Sequence, residues 1–181
     1  MSPSPRSAIL ALCCLPLAAA AVDAPQTESA PVVSQHEIIE SLHPAATRAF
    51  KPRGLARRDQ VTESVSLNVP FEHNSSTLQP TASEQLHQLE LALASPALRG
   101  DRFLVAGHTD AQGSARYNKQ LSLRRAETVK RFLVEHGIDA GRIDTVGFGS
   151  ERLLAPDRPY DSRNRRVEIR DMGAAGPAGQ P

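Results

Sequence analysis

Residues 64–71, SVSLNVPF, put Val65, Leu67, Val69 and Phe71 at every second position. A period of two belongs to a strand with one face in a core. The period then changes. In QPTASEQLHQLELALAS, Leu86, Leu89 and Leu93 recur at helical spacing, Thr81 and Glu84 have the spacing of a capping box, and Pro96 is a stop. DRFLVAGHT carries a short apolar run at 103–106, suited to a strand covered on both faces, and residues 107–113 form a loop. Helical spacing resumes from about Ser122, taken as the N-cap, to His136. Gly137 fits the left-handed position beyond that helix, with Ile138 as its apolar contact. RIDTVGFG and RRVEIRD are two further strands, the second with Val167 and Ile169 on one face. A β-α-β-α-β-β succession of this kind predicts an α/β (α+β) two-layer sandwich, its helices on one face of a mixed sheet. No internal repeat is present.

The flanks differ from this core. Arg6 precedes an apolar run from Ala8 to Val22 that ends in small residues, the pattern of a secretory signal over 1–22. The run falls short of the roughly twenty residues of a membrane span. An uncleaved anchor and lipidation at Cys13 or Cys14 are the alternatives, the second disfavoured because Leu12 rather than a small residue precedes Cys13. Removal of the signal takes both cysteines with it and leaves no thiol for a disulfide. Residues 23–60 are a Pro/Ser-rich and then basic linker. It contains a short amphipathic segment (Ile38, Ile39, Leu42), stopped at Pro44, and then Arg48, Lys51, Arg53, Arg57 and Arg58. The folded domain is expected at 61–171, with a disordered tail at 172–181.

One residue breaks the helical pattern. Leu121, Arg125, Val129, Phe132 and Leu133 form a stripe that is apolar except at Arg125, whereas Arg124 falls on the polar side. A right-handed crossover places the start of this helix near the end of the preceding strand, at Thr109 and Asp110. Ligands of open α/β sheets collect at that edge. Two readings follow. Arg125 and Asp110 form a partly buried salt bridge, which adds little stability. Or they straddle a zwitterion, Asp110 taking an ammonium and Arg125 forking a carboxylate.

Four blocks, FEHNSSTLQP, GHTDAQGSARYNKQLSLRRAETV, VGFGSERL and NRRVEI, resemble in content and order the OmpA C-terminal-like (OmpA/Pal/MotB) peptidoglycan-binding domain family. The resemblance spans roughly residues 65–171. It implies an OmpA-like fold and non-covalent binding of peptidoglycan through the amine and carboxylate of meso-diaminopimelate in the stem peptide. By motif position it makes Asp110 the ammonium acceptor and Arg125 the carboxylate clamp. Thr109 and Gln112 fall in the ligand loop, and Asn118 on an asparagine that sets its conformation. Asn74 matches a polar contact after the first strand. Arg165 or Arg166 matches a basic contact, with Arg165 preferred because it shares a strand face with Val167. There are departures. His73 stands where many members have an aromatic residue, Asn74 where many have an acidic one, and the disulfide of some members is missing. About forty residues between signal and first strand leave no room for an outer-membrane barrel.

Other functions find less support. His73, His87, His108 and His136 lack metal-ligand spacing, and no P-loop, GxGxxG or nucleophile elbow occurs, so neither catalysis nor a cofactor is expected. The formal net charge of +1 and the scarcity of aromatics in the basic stretch argue against a nucleic-acid partner. The expectation is a periplasmic protein, associated with the outer membrane or free, that contributes to envelope integrity. The rival is a scaffold that recruits another envelope protein through residues 35–58 and binds the wall weakly.

Overall fold

The computed structural model describes residues 31–43 and 63–174. The expected signal segment and the basic stretch at 48–58 lie outside them. Seven helices and strands follow in the order α1 (Gln35–Leu42), β1 (Ser64–Leu67), α2 (Ala82–Ala94), β2 (Asp101–His108), α3 (Ala115–Glu135), β3 (Ile143–Gly149) and β4 (Val167–Ala174). Short 3-10 turns at Ala140–Arg142 and Ser162–Asn164 precede the last two strands. The four strands form one mixed sheet in the order β1-β4-β2-β3. β2 and β3 are parallel, and β4 runs antiparallel between β1 and β2.

The strand periods place the core as expected. Val65, Leu67, Phe103, Val105, Ile143, Val167 and Ile169 turn to the helical layer and meet Leu86, Leu89, Leu93, Val129 and Leu133. β1 leaves the ladder at Leu67, earlier than the alternation suggested, and Phe71 pairs only in an isolated bridge with Leu78. Burial of β2 on both faces holds for its second half, through Ala106, Gly107 and His108, but Leu104 is only half-buried.

Two helix starts differ from the sequence expectation. Thr81 makes no side-chain cap, because its backbone is already helical and turn carbonyls at Gln79 and Pro80 take the Ala82 and Ser83 N–H groups. α3 begins seven residues before Ser122. Its N-cap is Ser114, whose hydroxyl accepts from Tyr117 N–H at 3.2 Å. The buried stripe of α3 therefore continues back through Ser122 to Asn118. It was hidden because these two core positions are polar. The C-terminus behaves as expected: Gly137 has φ 95° and Ile138 N–H donates to Leu133 carbonyl at 3.0 Å. Together with the bond from Gly137 N–H to Val134 carbonyl this is a Schellman motif.

α3 lies unusually close to the sheet. A Cβ on Gly107 would collide with Ser122 carbonyl, and one on Gly147 would come within 2.5 Å of both Leu123 N and Lys119 O. Ser122 uses this proximity. Its hydroxyl accepts from Gly149 N–H at 2.8 Å and donates to Lys119 carbonyl at 2.9 Å.

The amphipathic segment before the domain is also seated on it. Ser34 and Glu37 form the capping box of α1, and Ile38 and Leu42 are fully buried among core side chains. Gln85 of α2 holds the approach to α1 with both ends of its amide, accepting from Val33 N–H at 2.8 Å and donating to Val33 carbonyl at 3.1 Å. A Leu42→Ala substitution is expected to cost about 2–5 kcal/mol, as for other fully buried leucines. Urea unfolding of the two proteins measures it. A difference well under 1 kcal/mol would mean that α1 unfolds independently of the sandwich.

Candidate functional site

The carboxyl end of β2 runs into Thr109 and Asp110, both buried. Thr109 N–H donates to Gly149 carbonyl at 2.9 Å, which fixes the strand end to β3, while its own hydroxyl is buried without a partner. Asp110 is 6% exposed. Its Oδ1 accepts from Gln112 N–H at 3.2 Å, and its Oδ2 accepts from Arg165 Nη1 at 2.7 Å. Asn118 is the internal brace of the loop, its Nδ2 donating to the carbonyls of Asp110 (3.3 Å) and Gln112 (2.7 Å). The buried asparagine in the first turn of α3 thus shapes the chain that presents Asp110. Gln112 contributes backbone groups to this turn.

Arg125 stands in the third turn of α3, not the first, and is 8% exposed. It does not form the ion pair with Asp110 that is the first of the two sequence readings. Its Nε donates to Ser75 carbonyl at 2.9 Å, and its guanidinium carbon lies 4.9 Å from the centre of the Phe71 ring. The earlier start of α3 explains the difference, because the loop between Asp110 and the helix is shorter and Arg125 lies farther along the axis. Burial lowers the Arg125 pKa, the like charge of Arg165 adds to this, and Asp110 opposes it. Among the described residues no carboxylate pairs with this guanidinium, so its two terminal nitrogens are available.

The remaining predicted residues take different places. Asn74 is exposed, with φ 50°, in the tight turn that aims Ser75 carbonyl at Arg125, and its own carbonyl accepts from Tyr117 hydroxyl at 3.3 Å. Arg165 lies just before β4 rather than within it, half-exposed and paired with Asp110. Arg166 is largely buried and holds the 150s loop through Arg152 carbonyl. Sequence reasoning missed Ser75 and Phe71, which orient Arg125 through a backbone oxygen and a ring face. It also missed Asn164. This fully buried side chain accepts from Ala155 N–H at 2.9 Å and donates to the carbonyls of Arg158 and Pro159. Pro159 carbonyl in turn accepts from Ala111 N–H. The available signal was an asparagine directly before the arginine pair in NRRV. His87, expected to be solvated, is half-exposed beside Glu90.

A second set of charges lies beneath the site, on the sheet face away from the helices. His108 is 1% exposed and stacks on Phe148. Its Nε2 is 3.4 Å from Glu168 Oε2, an ion-pair separation too poorly aligned for a hydrogen bond. Arg170 Nε donates to Glu168 Oε1 at 2.8 Å. The His108 ring, helped by Arg170 and opposed by burial, holds the Glu168 carboxyl down at about 2. No group of three or more metal-ligating side chains occurs among the described residues, and no described helix is long and apolar enough to cross a membrane.

The site's sequence and fold have known counterparts. Residues 70–166 match the OmpA family. The peptidoglycan-associated lipoprotein of Pseudomonas putida is 36% identical over 102 residues, covering 55% of this chain and 60% of that protein. Outer membrane protein A of Bordetella avium is 39% identical over 106 residues, covering 58% of this chain and 54% of that protein. The chain thus spans little more than half the length of these relatives. In the crystal structure of the peptidoglycan-associated lipoprotein from Burkholderia pseudomallei, the match has a TM-score of 0.50 and 26% identity. It covers 59% of this chain and 89% of that one.

Glu168 gives this region a pH signature. Its folded pKa lies below the ordinary 4.5, so its contribution to stability is complete above about pH 4.5 and is lost as pH falls toward 2. In urea melts from pH 5 to 2, the wild type should lose about 2–3 kcal/mol more than Glu168→Gln. Parallel pH dependences would show that the carboxylate is not held down.

Proposed function

The chain belongs to the OmpA family, and on that premise we propose that it binds peptidoglycan non-covalently through the zwitterionic end of meso-diaminopimelate in the stem peptide. The observation that carries this reading is Arg125. A buried guanidinium without a carboxylate partner among the described residues is costly, and the buried carboxylate of Asp110 is near enough to favour its charge. A ligand carboxylate forked by the two free nitrogens would relieve that cost. Each such charged hydrogen bond is worth roughly 1.5–3 kcal/mol. The ligand ammonium goes to Asp110, whose present partner Arg165 is half-exposed and can turn to solvent.

Thr109, Gln112 and Asn118 act by holding the Asp110 loop, and Asn74 by holding Ser75 against Arg125. The reading assigns the chain no chemistry: it tethers, and it needs no metal or cofactor. The names of the relatives, an outer membrane protein and a peptidoglycan-associated lipoprotein, support a place in the envelope, in the periplasm next to the outer membrane. The scaffold alternative is narrowed by α1. Its apolar face is already covered within the fold, so recruitment of a partner would fall to residues beyond 43.

Sedimentation with purified sacculi tests the reading. Asp110→Asn and Arg125→Ala should each lower the bound fraction at least tenfold while circular dichroism remains that of the wild type. Undiminished binding by folded variants would refute the clamp. Ligand chemistry gives a separate check. Competition by free meso-diaminopimelate should weaken at least tenfold once the carboxylate facing Arg125 is amidated. Equal competition would mean that Arg125 does not read a carboxylate.

A further inference from the structure

The cleft beside the clamp holds more positive charge than one zwitterion can answer. The chain leaving β1 parts there from the chain entering β4 and encloses about 510 Å³. Arg125, Arg163, Arg165 and Arg166 all line this space, and no Asp or Glu does. Three carboxylates stand behind the arginines. Asp110 takes Arg165, Asp161 takes Arg163 through Nε and Nη2, and Glu168 stands 3.7 Å from Arg166. Glu168 also takes Arg170, and Asp161 lies 3.8 Å from Arg158, so the three carboxylates are shared among more guanidinium groups than they can answer; among the described residues Arg125 has none.

Binding of the zwitterion changes this pairing without balancing it. The ligand carboxylate answers Arg125 and the ligand ammonium takes Asp110. Arg165 then loses its partner and remains a cation on the cleft wall, which Arg163, its Nη1 free of Asp161, also lines. The same cleft contains buried polar atoms without a hydrogen-bond partner: Nε of Arg166, and the ring nitrogens of His108, of which Nε2 lies only at ion-pair distance from Glu168. Orphaned polar atoms in a concave, cationic space point to an acceptor that arrives with the ligand.

We propose that this cleft receives a second carboxylate, carried by the same peptide that brings the zwitterion, with Arg165 passing from Asp110 to it and Arg163 closing on it from the rim. The proposal rests on the zwitterion clamp of the preceding subsection. It makes Arg163 a binding residue, although Arg163 contributes nothing to the clamp itself. The site then prefers a peptide with a free carboxyl terminus beside the diaminopimelate over one that is capped or extended there.

Calorimetric titration of the full chain tests this with four probes: meso-diaminopimelate, a tetrapeptide with diaminopimelate at its third position and a free C-terminus, the C-terminal amide of that peptide, and inorganic phosphate. The free tetrapeptide should bind about tenfold more tightly than its amide. Arg163→Gln should remove most of that gap without changing affinity for the amide. Arg163→Lys, which keeps the charge but loses the fork onto Asp161, should retain the gap and so separates charge from loop structure. Equal binding of the two peptides, with meso-diaminopimelate still bound, would overturn the second site and leave the clamp standing. Failure of meso-diaminopimelate and both peptides to bind would overturn the clamp and the second site together. Phosphate binding to a protein that treats the two peptides alike would make the occupant a free anion and overturn the assignment to the peptide.

Discussion

The close approach of α3 to β2 and β3 is the constraint on which the site depends. Gly107 and Gly147 lack the Cβ atoms that would hold the helix off the sheet. Contact at this range lets a serine hydroxyl on the helix satisfy the backbone of Gly149, and Gly149 carbonyl then receives Thr109 N–H. One short chain of bonds thus runs from the helix through β3 to the residue before Asp110. A turn earlier on α3, Asn118 reaches the Asp110 loop directly. Farther along the same stripe, Arg125 is carried to the turn at Ser75. Packing distance, rather than any single strong bond, sets where the charged groups stand.

Polar residues on a buried helix face are costly unless each finds a partner. On α3 each of the three has a different solution. Asn118 and Ser122 are satisfied within the fold. Arg125 is satisfied only at Nε, by a backbone oxygen, and its ring contact with Phe71 covers one face without answering the charge. That asymmetry separates the structural members of the stripe from the member assigned to the ligand in the proposed function.

The sheet and its layers were legible in the sequence because strands and helices announce themselves by period. Val65, Leu67, Val167 and Ile169 turned to the core as alternation required. The start of α3 was not legible. Asn118 and Ser122 broke the apolar period at positions that are buried, so the helix seemed to begin at its second polar core residue. The capping box was expected at Thr81 and Glu84, where the spacing is right but a preceding turn already satisfies the N–H groups. A working box stands instead at Ser34 and Glu37, and only its packing on α2 gives it a role. Within the site, Asp110, Arg125 and Arg165 were found as residue types in a motif. The pairing of Asp110 with Arg165 was not, because it joins positions 55 residues apart across a loop. Ser75 acts through a carbonyl, which every residue has, so no side-chain pattern could have singled it out.

The pairing of Asp110 with Arg165 also bears on how the proposed site would stay folded without its ligand. A buried carboxylate aimed at an absent ammonium would be strongly destabilising if unpaired. An internal guanidinium in the ammonium's place removes that penalty. Because Arg165 is half-exposed, its release into water costs less than release of a buried cation would. Among the described residues Arg125 has no such stand-in, and its burial and its neighbour Arg165 both lower its pKa. The two halves of the clamp therefore differ in kind. In the proposed clamp the Asp110 half would exchange one cation for another, whereas the Arg125 half would gain a carboxylate partner it lacks among the described residues. On these grounds the proposed clamp would draw the larger share of its binding free energy from the carboxylate contact, and the ammonium contact would decide which carboxylates are admitted.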